Sequence, residues 1–404
     1  MELSFKQKLF CFFPVLFCFC LPFGSRVLSG LIILWGITSF FNLDKASLKA
    51  GFINKSLWLL FLFFFVTCIS AAFSNNKPEA LFCIENKLSF LVLPYYIFCF
   101  KWPEQIIKKS LVSFVSGCFF ACFYLITRAS VYAYNGHPEY FLYTDFSDLI
   151  HASYFAMYLI LAITIIFIFY HQWFKQQKQY GYISIFFIAI FLITIFLCSS
   201  KMGIITLFIC LPVLIFYRWK SFFNFKKFVI LFLGIALLIF CAMKLFPDSF
   251  NRLNSITSFS LANIDKASSE STTVRVLIWE QCIAIIKNNF LFGVSVGDAN
   301  DALYKAYEQN GLTGALDHKL NAHNQYFQTF IGLGVIGFLL LMLLTVGQFF
   351  KSLIQKNILL LIFSILVVLN FVVESMLQTS AGTLFFVFFF CLFNLEGIKN
   401  EIPE

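Results

Sequence analysis

Charge is scarce in this chain. Asp, Glu, Lys and Arg make up 12% of its 404 residues, about half their share in an ordinary soluble domain. A surface that meets water on every side cannot be built from so few charges, which excludes a soluble globular fold. Other shortages narrow the field further. There is no glycine-rich phosphate loop, no zinc-binding helix motif and no strained serine elbow, so the common templates of soluble enzymes are missing. The bases fall singly between apolar runs and form no patch interleaved with aromatics, so the net charge of +9 does not point to nucleic acid. No repeat period of a solenoid or inverted-repeat transporter stands out.

Cysteine is not scarce, at 13 residues, but its placement excludes a disulfide framework. Cys11, Cys18, Cys20, Cys68, Cys118, Cys122, Cys198, Cys210, Cys241 and Cys391 lie inside apolar segments, where a thiol behaves as a small hydrophobe. The long polar stretch holds a single cysteine, Cys282. No pair has metal-ligand spacing with a histidine nearby, so neither a metal nor another cofactor is expected.

What the chain has in excess is apolar mass: 60% of it is hydrophobic and 59 residues are Phe. Runs such as Leu57 to Phe73 are long enough to cross a hydrocarbon layer about 30 Å thick. About twelve such spans can be counted, near 9–23, 27–41, 56–73, 87–100, 106–128, 150–170, 180–198, 202–217, 227–245, 324–350, 357–372 and 376–395. They lack the alternation of barrel strands and must satisfy their own backbone in lipid, so they are helices. The expected fold is an all-α integral membrane protein. Residues 1–245 form about nine spans, 246–322 one long outer loop and 323–404 about three spans. The first run follows Lys6 and Lys8 as a secretory signal would, but no small-residue cleavage pattern closes it and it reads as a retained helix.

Starting from a cytoplasmic N-terminus, alternate connections collect 17 of the 29 bases, whereas the connection at 129–149 carries Glu139, Asp145 and Asp148 and no base. The excess of positive charge inside places both termini in the cytoplasm and the 246–322 loop outside. Within that loop Val274, Leu277, Ile278, Cys282, Ile285 and Ile286 recur at helical spacing, which predicts an amphipathic helix lying along the outer membrane face. Asn288, Asn289, Gly293 and Gly297 then end it in a turn-rich return.

An ionisable group at membrane depth is costly and is therefore a functional candidate. His323 sits where the loop re-enters the membrane, with Asn324 beside it and Phe327 and Gln328 one turn below, and near neutral pH an imidazole can accept a proton. Its plainer reading is an interfacial cap. Arg275 stands in the first turn of the loop helix with Trp279 one turn on, and Lys201 in a very short outer connection; either could hold an anion or simply snorkel. Glu374 and Gln378 are expected one helical turn apart on a shared face, with a helix–helix hydrogen bond as their plainer role. Lys87, Glu85 and His151 also flank outer helix ends and read as structural. A base and two cations on one membrane face suit one reaction class, transfer of a sugar from a lipid pyrophosphate to a hydroxyl, which needs phosphates held and a proton removed.

The stretches AHNQYFQTFIGLGVIG (Ala322 to Gly337), RVLIWEQCIAIIKNNFLFGVSVG (Arg275 to Gly297) and SSKMG (Ser199 to Gly203) resemble the O-antigen ligase and polymerase superfamily of bacterial envelopes. The resemblance implies a metal-independent glycosyltransferase of the inner membrane that takes glycans from undecaprenyl pyrophosphate at the periplasmic face. By position, His323 would activate the acceptor hydroxyl and Arg275 would bind the donor pyrophosphate. Lys201 stands where the family usually has arginine, keeping the charge and losing the bidentate fork. Asn324, Gln328, Trp279 and Glu374 would support them, Glu374 matching an acid in the family's late hairpin. Acceptors in the superfamily are lipid A core sugar, a growing glycan, or protein Ser and Thr. The chain length leans toward the ligase, with the polymerase and the protein O-oligosaccharyltransferase as alternatives. A transporter or flippase of lipid-linked glycan is the rival from another class, but it would spread polar residues along mid-membrane helix faces.

Overall fold

The computed structural model describes residues 4–24, 27–42, 44–176, 178–219, 266–267 and 272–395. The expected span at 227–245, the first part of the outer loop and the C-terminal end lie outside them.

The described residues are helical throughout, with no strand among them. In chain order the helices are α1 (Phe5–Cys20), α2 (Leu28–Phe40), α3 (Lys45–Ile53), α4 (Lys55–Ala72), α5 (Lys77–Lys87), α6 (Ser89–Phe98), α7 (Glu104–Tyr134), α8 (Tyr143–Phe146), α9 (Ala152–Gln176), α10 (Lys178–Leu197) and α11 (Lys201–Trp219). After residue 271 come α12 (Thr272–Asn288), α13 (Ala299–Asn310), α14 (Thr313–Asp317), α15 (Gln325–Leu344), α16 (Val346–Gln355), α17 (Ile358–Val373) and α18 (Ser380–Phe393). Among the described residues seven helical segments are long and apolar enough to cross a membrane: Phe5–Phe23, Lys55–Ala72, Lys77–Phe98, Gln105–Tyr134, Ala152–Phe169, Gln179–Leu197 and Gln325–Gln355. Four shorter apolar helices, Leu28–Phe40, Lys201–Tyr217, Ile358–Val373 and Ser380–Phe393, accompany them. The protein is an all-α membrane protein.

Aromatic packing explains the phenylalanine. Between membrane helices no hydrophobic drive remains, so contact area and close fit must hold them together. Helix α9 is buried along nearly all of Ala152–Phe169, and on α18 every residue from Gly382 to Phe393 is buried. Their rings interlock: Tyr158 stacks on Phe385 at 4.2 Å, and Phe114 of α7 meets Phe389 edge-on at 4.8 Å. The Tyr158 hydroxyl donates to the Ala381 carbonyl at 3.0 Å, so its one polar atom is satisfied.

Several expectations change in detail. The 106–128 span continues to Tyr134 as a helix of 31 residues, about 46 Å long, and so overreaches a bilayer core. The loop helix, α12, does not lie bare on lipid. Val274, Ile278 and Cys282 join Leu303, Tyr307, Leu312 and Ile331 in a second core beside the main one, because α13 and α15 supply a protein partner for that face. The 324–350 span is broken at Gly334 (φ 63°, ψ −162°) and again near Thr345. The break admits the turn after α12: Val294 N–H donates to Ile331 O (2.8 Å) and Val335 N–H to Phe290 O (2.9 Å). Gly293 (φ 70°) makes the matching close approach, since a Cβ there would lie 2.4 Å from Ile331 O.

The two ends of the bundle differ. Asn42 donates to the Lys6 carbonyl, Lys351 bonds to Ser56 and Asn394, and the Lys108 ammonium sits over the Phe169 ring. Lys6, Lys45, Lys55, Lys108 and Lys351 thus gather at one end, and the end of α4, the turn before α15 and residues 374–380 form the other.

Candidate functional site

The site grows from a strained turn. His323 has φ 42°, in the left-handed region that a non-glycine residue occupies only when its surroundings impose it. Four bonds do so. Trp279 Nε1 donates to Ala322 O (3.0 Å), and Ala322 N–H donates to Gln328 Oε1 (3.0 Å). His323 N–H donates to Asn321 Oδ1 (2.9 Å), and Asn324 N–H donates to Ser375 Oγ (3.2 Å). Asn324 also caps α15 by accepting from Phe327 N–H (3.0 Å). Trp279, Gln328 and Asn324 therefore hold the turn in place, and Gln328 ties it to Asn300 of α13 (3.0 Å).

Arg275 and His323 converge on Glu374. Helix α17 stops at Val373 and Glu374 is extended (φ −141°, ψ 139°). It does not share a helical face with Gln378 as the spacing predicts, because Gln378 falls in a separate 3₁₀ turn, Met376–Gln378. The freed carboxylate accepts from Arg275 on Oε1 at 3.2 Å and faces His323 Nδ1 with Oε2 at 3.6 Å. The second distance is beyond a hydrogen bond, and His323 Nδ1 is buried without another partner. Burial works to raise the Glu374 pKa, but the neighbouring His323 and the charges of His151 and Arg275 outweigh it and draw the carboxyl below its ordinary value. Glu374 is 9% exposed at the side chain, Arg275 30% and His323 24%. The carboxylate is therefore the floor of the site, and the two bases face outward from it.

Helix α9 reaches the same place. His151 precedes it and acts on Glu374 electrostatically, and Tyr154 lies against Thr379. Lys201 opens α11 next door. Its neighbour Ser200 caps that helix, accepting from Gly203 N–H (3.1 Å), and donates to Ser153 Oγ (3.1 Å). The turn before it is strained at Ser199 (φ 47°). Sequence reasoning underrated His151, read as structural, and Glu374, read as a helix–helix contact. A signal was present, since each is an ionisable residue at the same helix ends, but only the tertiary fold shows that they meet.

A second clamp supports the site from outside. Asp298 accepts from the backbone N–H groups of Asn75 (2.9 Å) and Asn76 (2.8 Å) and from Ser295 Oγ (2.8 Å), which locks the turn after α12 onto the α4–α5 junction. Among the described residues no three His, Cys, Asp or Glu side chains form a group that could hold a metal ion. What the arrangement can do is take a proton on the open edge of an imidazole and offer guanidinium N–H groups to an anion. No curated protein matches the chain. Residues 185–342 match the family model described as O-antigen ligase; that stretch holds Lys201, Arg275 and His323, and in it the chain is similar to the O-antigen ligase family.

Proposed function

We propose that the protein transfers a glycan from undecaprenyl pyrophosphate to a hydroxyl of lipid A core sugar at the periplasmic face of the inner membrane, as an O-antigen ligase. The observation that carries this reading is the Glu374 carboxylate, bonded to Arg275 and facing His323 Nδ1. With Nδ1 turned to an ionised carboxylate, Nε2 is the nitrogen left to receive a proton. The acceptor O–H gives that proton to Nε2 and its oxygen attacks the anomeric carbon. The bond from that carbon to the pyrophosphate oxygen breaks, and the departing diphosphate carries the electron pair away.

Arg275 spends one amino nitrogen on Glu374, and the remaining guanidinium N–H groups can meet the leaving phosphates as their charge grows. Lys201, held near His151 and Tyr154 through the Ser200–Ser153 bond, adds a point charge. In this reading residues 246–322 stand in the periplasm, between membrane parts at 1–245 and 323–404. The reaction as drawn runs on these side chains with the pyrophosphate as its own leaving group.

The test is transfer by purified protein in lipid, with undecaprenyl-pyrophosphate glycan and three separate acceptors: lipid A core, free glycan, and a Ser/Thr peptide. Product on lipid A core is expected. An elongated glycan would make the protein a polymerase, and a glycosylated peptide an oligosaccharyltransferase. His323→Ala should lower transfer by about 10²–10⁴-fold with helicity unchanged, and transfer at the original rate would remove His323 as the base.

A further inference from the structure

Beside the Glu374 turn lies a buried lysine. Lys87 is the last residue of α5, and its side chain is 3% exposed. Among the described residues no hydrogen bond or ion pair reaches its ammonium, and Cys83 and Glu79 of the same helix act on it electrostatically. A buried lysine that is left unpaired is costly, and an ionisable group within a membrane bundle signals function.

The neighbours of Lys87 define where it sits. Asn86 donates to Gln378 O (3.3 Å) and accepts from Ser380 Oγ (2.7 Å), so the end of α5 is fastened to residues 378–380. Arg275 holds the other end of the same turn at Glu374. Glu79, Cys83 and Lys87 succeed one another at four-residue spacing and share a face of α5. Cys83 Sγ donates to Val296 O (3.7 Å), and Glu79 accepts from Asn300 Nδ2 (3.3 Å). Asn300 in turn holds Gln328, which holds Ala322 next to His323. The α5 face that ends in Lys87 is thus turned toward the segments that frame His323. Glu79 acts on Lys87 electrostatically from two turns away, about 12 Å along the axis, and its carboxylate accepts from Asn300, so no direct ion pair forms between them.

We propose that Lys87 is an anion-binding residue of the transfer site, taking a phosphate oxygen of the diphosphate-linked lipid donor from the end of the 374–380 turn opposite Arg275. This rests on the donor assigned under the proposed function. An ammonium with three rotatable donors suits such a contact, because it binds phosphate as a point charge without a fixed approach. It also accounts for a charge in a position where a leucine would pack at no electrostatic cost.

The experiment measures binding of undecaprenyl diphosphate and of undecaprenol to the full chain in lipid nanodiscs. Wild type should prefer the diphosphate. Lys87→Met, of similar length and without charge, should lose at least about tenfold in diphosphate affinity, keep its undecaprenol affinity, and melt at the same temperature or higher. Equal diphosphate affinity in variant and wild type overturns the assignment. A second measurement needs no variant: acylation of the Lys87 amine in wild type, read by peptide mass, should slow with undecaprenyl diphosphate and not with undecaprenol, and an unchanged rate counts against it. A wild type that binds both lipids equally brings down the donor reading itself, which separates that failure from the failure of Lys87 alone.

Discussion

At the scale of single residues the structure turns on Glu374. Its carboxyl lies below the ordinary value near 4.5 because His323, His151 and Arg275 together outweigh the effect of burial. A carboxyl whose folded value is lowered stabilises the protein in full above its unfolded value, and that share is lost as pH falls through the folded value. The melting temperature of wild type should therefore drop more steeply below about pH 4.5 than that of Glu374→Gln, with the two curves converging in acid. Near neutral pH Glu374→Gln should cost about 2 kcal/mol, because it leaves Arg275 and His323 facing an uncharged amide; parallel curves across the range would mean that Glu374 takes no part in holding the site. His323, Arg275 and Lys201 could be picked out from the sequence because each is a lone ionisable group beside an apolar run. Glu374 could be seen but not understood: its partners are 51 and 99 positions away, and no local pattern encodes that meeting. Lys87 resembles any interfacial lysine on an amphipathic helix until its neighbours bury it.

At the scale of elements, apolar spacing revealed the helices and helix signals gave several of their ends. Asn324 and Asn357 cap α15 and α17 as short polar residues before apolar runs should. The apolar face of α12 was readable, whereas the identity of what covers it was not, since lipid and protein demand the same side chains. The break in α15 was hidden for a related reason. In GLGVIG the glycines look like a helix–helix contact stripe, yet Gly334 adopts a backbone that only glycine reaches readily, and a Cβ there would stand 2.2 Å from Leu291 O. Gly334→Ala should cost about 3 kcal/mol, read as thermal unfolding in detergent, and should loosen the turn that Asp298 clamps. Gly311 supplies the control: its φ is also positive, at 67°, but no atom lies within 4 Å of an added Cβ, so Gly311→Ala should cost only about 1 kcal/mol. Equal costs at the two positions would show that the close approach at Leu291 plays no part.

At the scale of the whole molecule, the sidedness of the bundle decides whether the site can meet its proposed substrates. Lysines from α1, α3, α4, α7 and α16 collect at one end, and the His323 turn, Glu374 and the α4–α5 junction at the other. The rule that a membrane protein keeps its lysine-rich end in the cytoplasm is the ground for proposing that the Glu374 end faces the periplasm. Cysteine labelling can test this against a quiet background, since of the twelve described cysteines ten are buried and two half-buried, all of them free thiols. Tyr134, at the outer tip of α7, is 92% exposed, and Lys356 is exposed in the turn between α16 and α17 at the lysine-rich end. A membrane-impermeant maleimide should modify Tyr134→Cys in intact spheroplasts and Lys356→Cys only in inverted vesicles. The opposite pattern would place His323 and Glu374 in the cytoplasm, on the wrong side for a glycan carried on the periplasmic leaflet, and the transfer reaction proposed for them could not occur there.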